Sequence, residues 1–195
     1  MKRTSDLMLA AVALLMLSPL LFVLGAWVGL SSKGGIFYRQ ERVGRYGKPF
    51  QLIKFRSMRP ASDQQGLLTV GKDQRITPVG HILRKYKLDE LPQLWNIIKG
   101  EMSIVGPRPE VQKYVDYYSA QQRKVLELRP GLTDYASLEY FEEARLLAAS
   151  SDPEKTYINE VMPAKLALNL RYLAEQSPLT DMKIIGQTIG KILKA

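Results

Sequence analysis

The chain has 195 residues, with 28 Lys and Arg against 19 Asp and Glu, and its formal net charge is +9. The absence of cysteine excludes disulfides and thiolate metal sites, and the single histidine, His81, excludes a metal site built from several histidines. Carboxylates and cations must therefore carry any chemistry. The positive balance indicates an anionic partner: a phosphorylated substrate, an anionic membrane surface or nucleic acid.

The first part of the chain is an apolar segment. Residues 7–30 carry no charge, and this is long enough to cross a hydrocarbon core that needs roughly 20 residues. Ser18-Pro19 falls in the middle, where a proline removes a backbone hydrogen bond and favours a kink. Basic residues flank both ends, and positive charge normally marks the cytoplasmic side. The pattern favours a re-entrant membrane hairpin over residues 1–32, broken at Ser18-Pro19, over a straight span or a signal peptide.

A basic β-hairpin opens the second predicted domain, residues 33–195. Its strands are expected over 36–40 and 50–58, with a glycine-containing turn between them. In the return strand Lys54 and Arg56 alternate with apolar residues, so both project from one face. From the hairpin alone, that face either binds phosphate or rests on anionic lipid.

The strongest chemical signal is an adjacent pair of carboxylates, Asp89 and Glu90. They precede a helix predicted over residues 92–99, whose N-terminal N–H groups and dipole favour negative charge. Arg84 before the pair and Arg108 after it place cations nearby. Prolines on both sides of Arg108 restrict its backbone, which suits a guanidinium held for bidentate contact. The pair therefore indicates a metal ion, a phosphate or both, with helix capping as the alternative.

The rest of the chain is predicted to be mostly helical, after a loop over 60–78. The expected helices cover 79–87, 111–128, 139–149, 152–175 and 179–193. The last of these is amphipathic, apolar on one face and basic on the other, which is typical of a helix in a membrane interface or of one packed on a core. The predicted fold class is α+β, mostly helical, with a small β-hairpin and a catalytic domain at the membrane surface.

These segments, taken together, resemble the bacterial sugar transferase family, the monotopic phosphoglycosyl transferases that start lipid-linked glycan assembly. The resemblance covers almost the whole chain. Its motifs are Lys2-Arg3…Asp6, Ser18-Pro19, Arg42–Phe50, Lys54–Met58, Thr77–Gly80, Leu83-Arg84, Leu88–Asn96, Lys99–Ser103, Val105–Pro109, Arg129–Thr133 and Asp181–Ile184. Each motif is weak alone, but in this order they are very specific. The first begins at residue 2, so a minimal catalytic unit is expected.

The resemblance implies a reaction and a set of site residues. A nucleotide diphosphate sugar, usually a UDP-sugar, would give its phosphosugar to polyprenol phosphate (undecaprenyl phosphate), with release of UMP. Asp89 would be the nucleophile that forms a covalent aspartyl-phosphosugar intermediate, and Glu90 would hold Mg²⁺. The substrate phosphates would be bound by Lys54, Arg56, Arg84 and Arg108. Arg129 and Asp181 match family motifs, but either could be structural.

The resemblance also implies partners and a location. The expected location is the cytoplasmic leaflet of the bacterial inner membrane, with the catalytic domain facing the cytoplasm. A homodimer is possible, and no nucleic acid is expected. Residues 134–160 depart from the family pattern, so contacts to sugar or uracil cannot be carried over there.

Two other functions remain as alternatives. One is a non-enzymatic protein that binds anionic lipid through the hairpin and the terminal helix; it gives no reason for the Asp89-Glu90 pair. The other is a membrane glycosyltransferase that moves the sugar without its phosphate and releases UDP, for which a nucleophilic carboxylate is not needed.

Overall fold

A computed structural model describes residues 2–31 and 33–194, without the side chains of Asp63 and Gln65. The helices are α1 (Lys2–Ser31), α2 (Pro78–Lys85), α3 (Gln93–Lys99), α4 (Gln112–Val115), α5 (Tyr135–Glu139), α6 (Glu143–Ala148), α7 (Pro153–Thr156), α8 (Met162–Glu175) and α9 (Pro178–Leu193). The strands are β1 (Phe37–Val43), β2 (Pro49–Phe55), β3 (Ser103–Val105) and β4 (Gly131–Thr133). The prediction of a mostly helical protein with a small hairpin is confirmed. Met1, Ser32 and Ala195, which end the predicted domains, lie outside the described residues.

Helix α1 is continuous through Pro19, so the predicted break at Ser18-Pro19 is wrong for the backbone itself. A proline at position 19 cannot donate to the carbonyl of Leu15, four residues earlier. The Ser18 hydroxyl donates to that same Leu15 oxygen at 2.8 Å. The side chain thereby replaces the missing backbone donor, which explains how the helix accommodates a proline in its middle.

One stripe of α1 packs against the rest of the protein along the whole helix. Ala10, Leu24 and Val28 are at most 4% exposed. Outside this stripe the helix surface is also apolar, and Leu15 and Phe22 are 77% and 79% exposed. By length and composition α1 could cross a membrane. It therefore has two apolar faces, of which only one is covered by the protein.

Polar contacts join the first turns of α1 directly to α9 and β3. Lys2 Nζ lies 2.6 Å from Asp181 Oδ2 on α9, and the Tyr172 hydroxyl on α8 donates to Asp181 Oδ1 at 2.6 Å. Asp6 is 5% exposed and accepts a hydrogen bond from the Ser103 hydroxyl of β3 at 2.7 Å. Asp181 therefore joins the first turn of α1 to α8 and α9.

Strands β1 and β2 form the predicted antiparallel hairpin, in which Tyr38 lies opposite Lys54. A 3₁₀ turn, Arg45–Gly47, joins the two strands. Because side chains alternate between the faces of a strand, Tyr38, Gln40 and Arg42 share the face that carries Lys54. All four line one cavity.

Strands β3 and β4 pair in parallel, with Ser103 opposite Gly131. The backbones of Gly131 and Gly106 also lie very close together. A Cβ on Gly131 would lie 2.1 Å from the backbone nitrogen of Gly106, so only glycine fits at position 131. The Gly131 N–H donates to the carbonyl of Pro107 at 2.9 Å. These contacts fix the backbone immediately before Arg108.

Helix α3 agrees with the predicted helix, and Gly100 ends it in the left-handed region at φ 88°. Helical spacing predicts Leu94, Trp95 and Ile98 on one apolar face. The buried face differs from this, since Trp95 is 51% exposed and Ile97 is fully buried. Ile97 packs in a cluster with Phe50 of the hairpin and Ala10 of α1.

The predicted helix over 111–128 is wrong. Helix α4 ends at Val115, and a 3₁₀ helix covers Gln122–Glu127. Between them the Ser119 N–H donates to Gln122 Oε1 at 2.8 Å, and the Gln122 N–H donates to Ser119 Oγ at 3.3 Å. This reciprocal pair starts a new helical turn, so the first helix does not continue through it.

The predicted helix over 139–149 is also divided, between α5 and α6. The helix predicted from Asp152 is confirmed, since Asp152 caps α7 and helical structure runs on to Glu175. Between α7 and α8 it passes through one π-helical segment, Tyr157–Val161. The predicted terminal helix is confirmed as α9, and Ile184 is its fully buried residue.

Candidate functional site

A short turn carries the carboxylate pair. Asp89 and Glu90 lie in a 3₁₀ helix that begins at Leu88, directly before α3. Lys87 precedes it with φ 55°, in the left-handed region, which turns the chain sharply after α2. Leu88 and Leu91 pack against apolar residues of α1 and α2. These apolar anchors on both sides hold the carboxylates inside the protein, where Asp89 is 5% and Glu90 7% exposed.

Glu90 is bound by two cations. Arg108 Nη2 and Nη1 donate to its Oε1 and Oε2 at 2.5 Å and 3.2 Å, and Lys54 Nζ donates to Oε1 at 3.1 Å. Burial alone would raise the pKa of Glu90, but these two cations outweigh it and hold the pKa well below its usual range. Burial also lowers the pKa of Lys54 to about 8, although Glu90 opposes that shift.

Asp89 has a different environment, although it is the adjacent residue. No side chain or backbone group among the described residues donates a hydrogen bond to its carboxylate. Burial raises the pKa of Asp89, while Lys54 opposes this from nearby. The two carboxylates therefore have different environments. Two cations hold Glu90 as an anion, whereas Asp89 has no hydrogen-bonded partner among the described residues.

Arg108 reaches Glu90 because its backbone is fixed. Its N–H donates to Asp134 Oδ2 at 3.1 Å, and Asp134 is fully buried as the cap of α5. Pro107 and Pro109 restrict the chain on either side. The Glu90 carboxylate raises the pKa of Arg108, so this guanidinium remains charged.

A cavity of about 630 Å³ opens beside the pair. Its wall comes from the hairpin face, the segment after α2, the Arg108 segment and the helices α5, α6, α8 and α9. One side of the wall is polar. Near α9 the wall is apolar and includes Leu132, Ile185 and Ile189. The carboxylates therefore face a space that has both a polar and an apolar side.

The structure brings Lys54, Arg84 and Arg108 towards the pair, as the sequence predicts. Lys54 and Arg108 bind Glu90 directly. Arg84 lines the cavity and donates to Thr69 Oγ1 at 2.8 Å, and its charge favours the ionised form of Asp89.

Arg56 and Arg129 have other contacts. Arg56 lines the cavity, but its guanidinium donates to the carbonyls of Gly35 and Phe37 at 3.1 Å and 3.3 Å. Strand β2 ends at Phe55, so the predicted alternation of Lys54 and Arg56 does not bring both onto the carboxylates. Arg129 Nε donates to the Gly100 carbonyl at 3.1 Å, which ties the chain before β4 to the end of α3.

Arg75 is a cation of the cavity wall that the sequence did not single out. It pairs with Asp73 at 2.6 Å, and this hydrogen-bonded contact lowers the pKa of Asp73. Its guanidinium also donates to three loop carbonyls. They belong to Ser62, Gly66 and Leu68. One side chain thus organises the loop predicted over 60–78, and nothing in that polar sequence indicates which residue does so.

The sequence also missed a group of polar side chains on the cavity wall, far from one another along the chain. They are Arg42, Glu110, Glu143, Tyr157 and Lys165. Only Arg42 had a signal, because it shares the hairpin face of Lys54. The other four come together only through tertiary packing.

The donors fit a magnesium site of one particular kind. Asp89 and Glu90 offer hard carboxylate oxygens, and the described residues contain no group of three or more acidic or histidine side chains placed to hold a metal. Mg²⁺ is commonly bound by one or two carboxylates together with substrate phosphates and waters. The pair therefore fits an ion shared with a phosphorylated substrate and not an ion enclosed by protein alone.

Comparison with known proteins gives a consistent family. The model of the bacterial sugar transferase family matches residues 1–195. The exopolysaccharide production protein ExoY of Sinorhizobium fredii is 37% identical over 98% of this chain and 84% of its own length. The UDP-glucose:undecaprenyl-phosphate glucose-1-phosphate transferase of Caulobacter vibrioides is 35% identical over 98% of this chain and 69% of its own length.

A further relative is named for a different sugar. The UDP-N-acetylgalactosamine-undecaprenyl-phosphate N-acetylgalactosaminephosphotransferase of Aeromonas hydrophila is 33% identical over 98% of this chain and 43% of its own length. The family model matches the full chain, and the buried Asp89-Glu90 pair lies among cations. Both observations support the same family. The protein belongs to the bacterial sugar transferase family and is an enzyme of the phosphoglycosyl transferase type.

Proposed function

We propose that the protein transfers a sugar-1-phosphate from a UDP-sugar to undecaprenyl phosphate and releases UMP, as the first membrane step of a polysaccharide pathway. The names of the relatives support both substrate classes. The observation that carries the proposal is the asymmetry of the pair. Arg108 and Lys54 hold Glu90, while Asp89 lines the same cavity and accepts no hydrogen bond from the part of the chain that the structure describes.

In the first step Asp89 is the nucleophile. One carboxylate oxygen attacks the phosphorus that carries the sugar, and the bond from this phosphorus to the bridging oxygen breaks. UMP leaves with that oxygen, and the sugar phosphate stays on Asp89 as an acyl phosphate. A carboxylate that accepts no hydrogen bond from the described residues keeps its lone pairs available for this attack, whereas Glu90 already accepts three.

In the second step the lipid phosphate is the nucleophile. An oxygen of undecaprenyl phosphate attacks the same phosphorus, and the acyl oxygen leaves with its electron pair. Asp89 is regenerated, and the product is undecaprenyl diphosphate sugar. Two half-reactions at one carboxylate predict ping-pong kinetics.

The cations support both steps. In the absence of substrate, Lys54 and Arg108 balance the negative charge of Glu90. Both cations lie beside the position where the substrate phosphates must approach Asp89. Arg84 adds positive charge on the side of α2. Fixed cations in a site with little water stabilise charge that builds up on phosphate oxygens.

Glu90 would hold Mg²⁺ together with the phosphates of the bound substrate. When bound, the ion would reduce repulsion between a carboxylate and a diphosphate and stabilise the leaving phosphate. Glu90 is the residue we assign to the metal, because Asp89 must remain free to attack.

We place the protein at the cytoplasmic face of the bacterial inner membrane. The exposed apolar side of α1 would lie in lipid, and both ends of the helix contact the same domain, through Lys2 at one end and Val28 near the other. A straight span would carry one end roughly 30 Å away, across the hydrocarbon core. The contacts support an arrangement in which both ends of the continuous helix stay at one membrane surface, without the predicted break at Ser18-Pro19.

The nucleotide product tests the function. Purified protein in detergent is incubated with UDP-sugars, Mg²⁺ and undecaprenyl phosphate, and the nucleotide is identified by chromatography. We expect UMP. Release of UDP would mean that the sugar moves without its phosphate, and no turnover with any UDP-sugar would favour a protein that only binds the membrane surface.

A further inference from the structure

The cavity beside the carboxylate pair has a polar wall to which the two phosphate-transfer steps give no task. We use the term polar wall for the side chains of Arg42, Glu110, Glu143, Tyr157 and Lys165. Two carboxylates, two cations and one phenol give it no net charge. The wall is therefore unlike the cationic surroundings of Asp89, and a further phosphate has little reason to bind there.

The side chains of the polar wall are held in place by one another. Arg42 Nη1 lies 3.2 Å from Glu110 Oε1, and the Tyr157 hydroxyl donates to Glu110 Oε2. Lys165 Nζ lies 2.6 Å from Glu143 Oε2. These four charged side chains are between 13% and 28% exposed. Groups fixed in this way before a ligand arrives bind it without a large ordering cost.

The π-helical segment explains why two of these side chains share one cavity. Tyr157 and Lys165 are eight residues apart, and in a regular α-helix residues seven apart lie on one face. A π-helical turn adds roughly one residue to the helical count. The segment Tyr157–Val161 therefore brings Lys165 into line with Tyr157. Single π-helical turns inside α-helices occur frequently at functional sites.

The polar wall begins next to the reacting groups. Asp134 joins Arg108 to Ser137, since its Oδ2 accepts from the Arg108 N–H and its Oδ1 accepts from the Ser137 N–H at 2.6 Å. Glu143 lies near enough to Arg108 to favour its charged form. Ser137 lines the cavity, and its buried hydroxyl has no hydrogen-bond partner in the described part of the chain. A group attached to a phosphate at Arg108 would extend along this wall.

The chemistry of the wall distinguishes the two groups that a nucleotide sugar attaches to its phosphates. Sugar hydroxyls donate and accept, and the wall offers carboxylate acceptors beside ammonium, guanidinium and hydroxyl donors. A base would need an open aromatic face. The Tyr157 ring does not offer one, because Lys165 Nζ lies 5.3 Å from its centroid and the Tyr114 ring lies 4.9 Å away.

We propose that the polar wall binds the sugar ring of the UDP-sugar and selects among sugars by their hydroxyl groups. The proposal rests on the proposed function for the identity of the substrate. Glu143 with Lys165, and Glu110 with Tyr157, are the specificity-determining pairs. The unpartnered Ser137 hydroxyl is a further contact, near the sugar-bound phosphate.

The test compares Glu143→Gln with the matched control Glu142→Gln, whose exposed side chain pairs with Arg145. UMP release is measured for UDP-glucose, UDP-galactose and their N-acetylamino counterparts. The expected result for Glu143→Gln is a change of about tenfold or more in the ratio of kcat/KM between sugars, the size typical of a lost hydroxyl contact. The control should keep the parent ratio.

Inhibition by UMP is measured on the same variants. The inhibition constant should remain within about twofold of the parent, since UMP lacks the sugar. An unchanged sugar ratio with weaker UMP inhibition would assign the polar wall to the nucleoside and overturn the proposal. Tyr157→Phe is the second variant, because it removes only the hydroxyl that binds Glu110 and retains the ring.

Binding separates this proposal from the proposed function. Calorimetry with each UDP-sugar on the parent protein needs no turnover. In one outcome the parent releases no UMP but binds the UDP-sugars, and Glu143→Gln changes their affinities. The transferase function would then be rejected, and sugar binding by the polar wall would be supported. If UMP is released but neither Glu143→Gln nor Tyr157→Phe changes the preference among sugars, the function stands and the polar wall fails.

Discussion

Both terminal nitrogens of Arg108 bind the carboxylate of Glu90, at 2.5 Å to Oε1 and 3.2 Å to Oε2. Asp89, the preceding residue, accepts no hydrogen bond from the described residues. One guanidinium thus gives two adjacent carboxylates different properties. It fixes Glu90 as an anion and leaves Asp89 available for reaction with a substrate.

Arg108→Lys keeps the positive charge and removes the two-pronged contact. We expect kcat/KM for the UDP-sugar to fall roughly a hundredfold, the size typical for loss of a positioned donor to developing charge. Arg171→Lys is the control, because Arg171 pairs with Glu175 on an exposed surface. Steady-state kinetics on both variants measure the effect. Equal activity of Arg108→Lys and the control would show that charge alone is needed.

Ser18 and Pro19 provide a test of how α1 tolerates its proline. Ser18→Ala leaves the Leu15 carbonyl without a donor and should lower stability by about 1 kcal/mol. Pro19→Ala restores a backbone N–H that can bond to Leu15. In that background Ser18→Ala should cost little, and unfolding in detergent of the four proteins measures the coupling. An equal cost in both backgrounds would mean that Ser18 does not replace the missing donor.

The loop over 60–78 should respond to acid through Asp73. Arg75 holds the pKa of Asp73 below its ordinary value of 3.8. The charged form therefore stabilises the loop fully above that value, and the contribution is lost as the pH falls through the lowered pKa. Hydrogen-exchange protection near Gly66 should stay constant from about pH 7 to pH 5 and decrease below about pH 4.

Asp73→Asn should show the low protection of this loop already at neutral pH. Asp152→Asn is the control, since Asp152 also has a lowered pKa but caps α7 elsewhere. Full protection of the loop in Asp73→Asn would show that the Arg75 contacts to carbonyls are sufficient alone.

The path of α1 in the membrane can be read by labelling, because the chain has no cysteine of its own. Thr4 and Lys33 are exposed and lie on either side of the apolar segment. With a membrane-impermeant thiol reagent on oriented vesicles, Thr4→Cys and Lys33→Cys should both react from the cytoplasmic side only. Reaction of the two variants from opposite sides would mean a straight span.

The elements near the carboxylates could be predicted because their signals are local. Pro92 and Gly100 mark the ends of α3, and the alternation around Lys54 marks the hairpin. Arg108 stood out through its two prolines. Each of these patterns lies within a few residues, so neighbouring side chains and backbone preferences decide the structure.

The errors have identifiable physical causes. Pro19 predicts a break, but the Ser18 hydroxyl restores the missing hydrogen bond. The segment 111–128 has helical spacing, but Ser119 and Gln122 bond to each other's backbone and start a new turn.

The polar wall lay beyond sequence reasoning for a different reason. Glu110, Glu143 and Lys165 belong to separate segments. Taken one at a time, each of these charged residues is predicted to be an ordinary solvent-exposed side chain. Only the packing of α6 and α8 over the hairpin brings them together. The π-helical turn adds a shift in helical phase that periodicity does not reveal.

In the proposed reaction Asp89 forms a covalent bond to the phosphosugar. The direct measurement is mass spectrometry of the protein after incubation with UDP-sugar and Mg²⁺ in the absence of lipid acceptor. We predict a mass increase equal to one sugar phosphate on the peptide containing Asp89, lost on addition of undecaprenyl phosphate and absent from Asp89→Asn. UMP release with no modified peptide, or a sugar phosphate on another residue, would show that Asp89 is not the nucleophile.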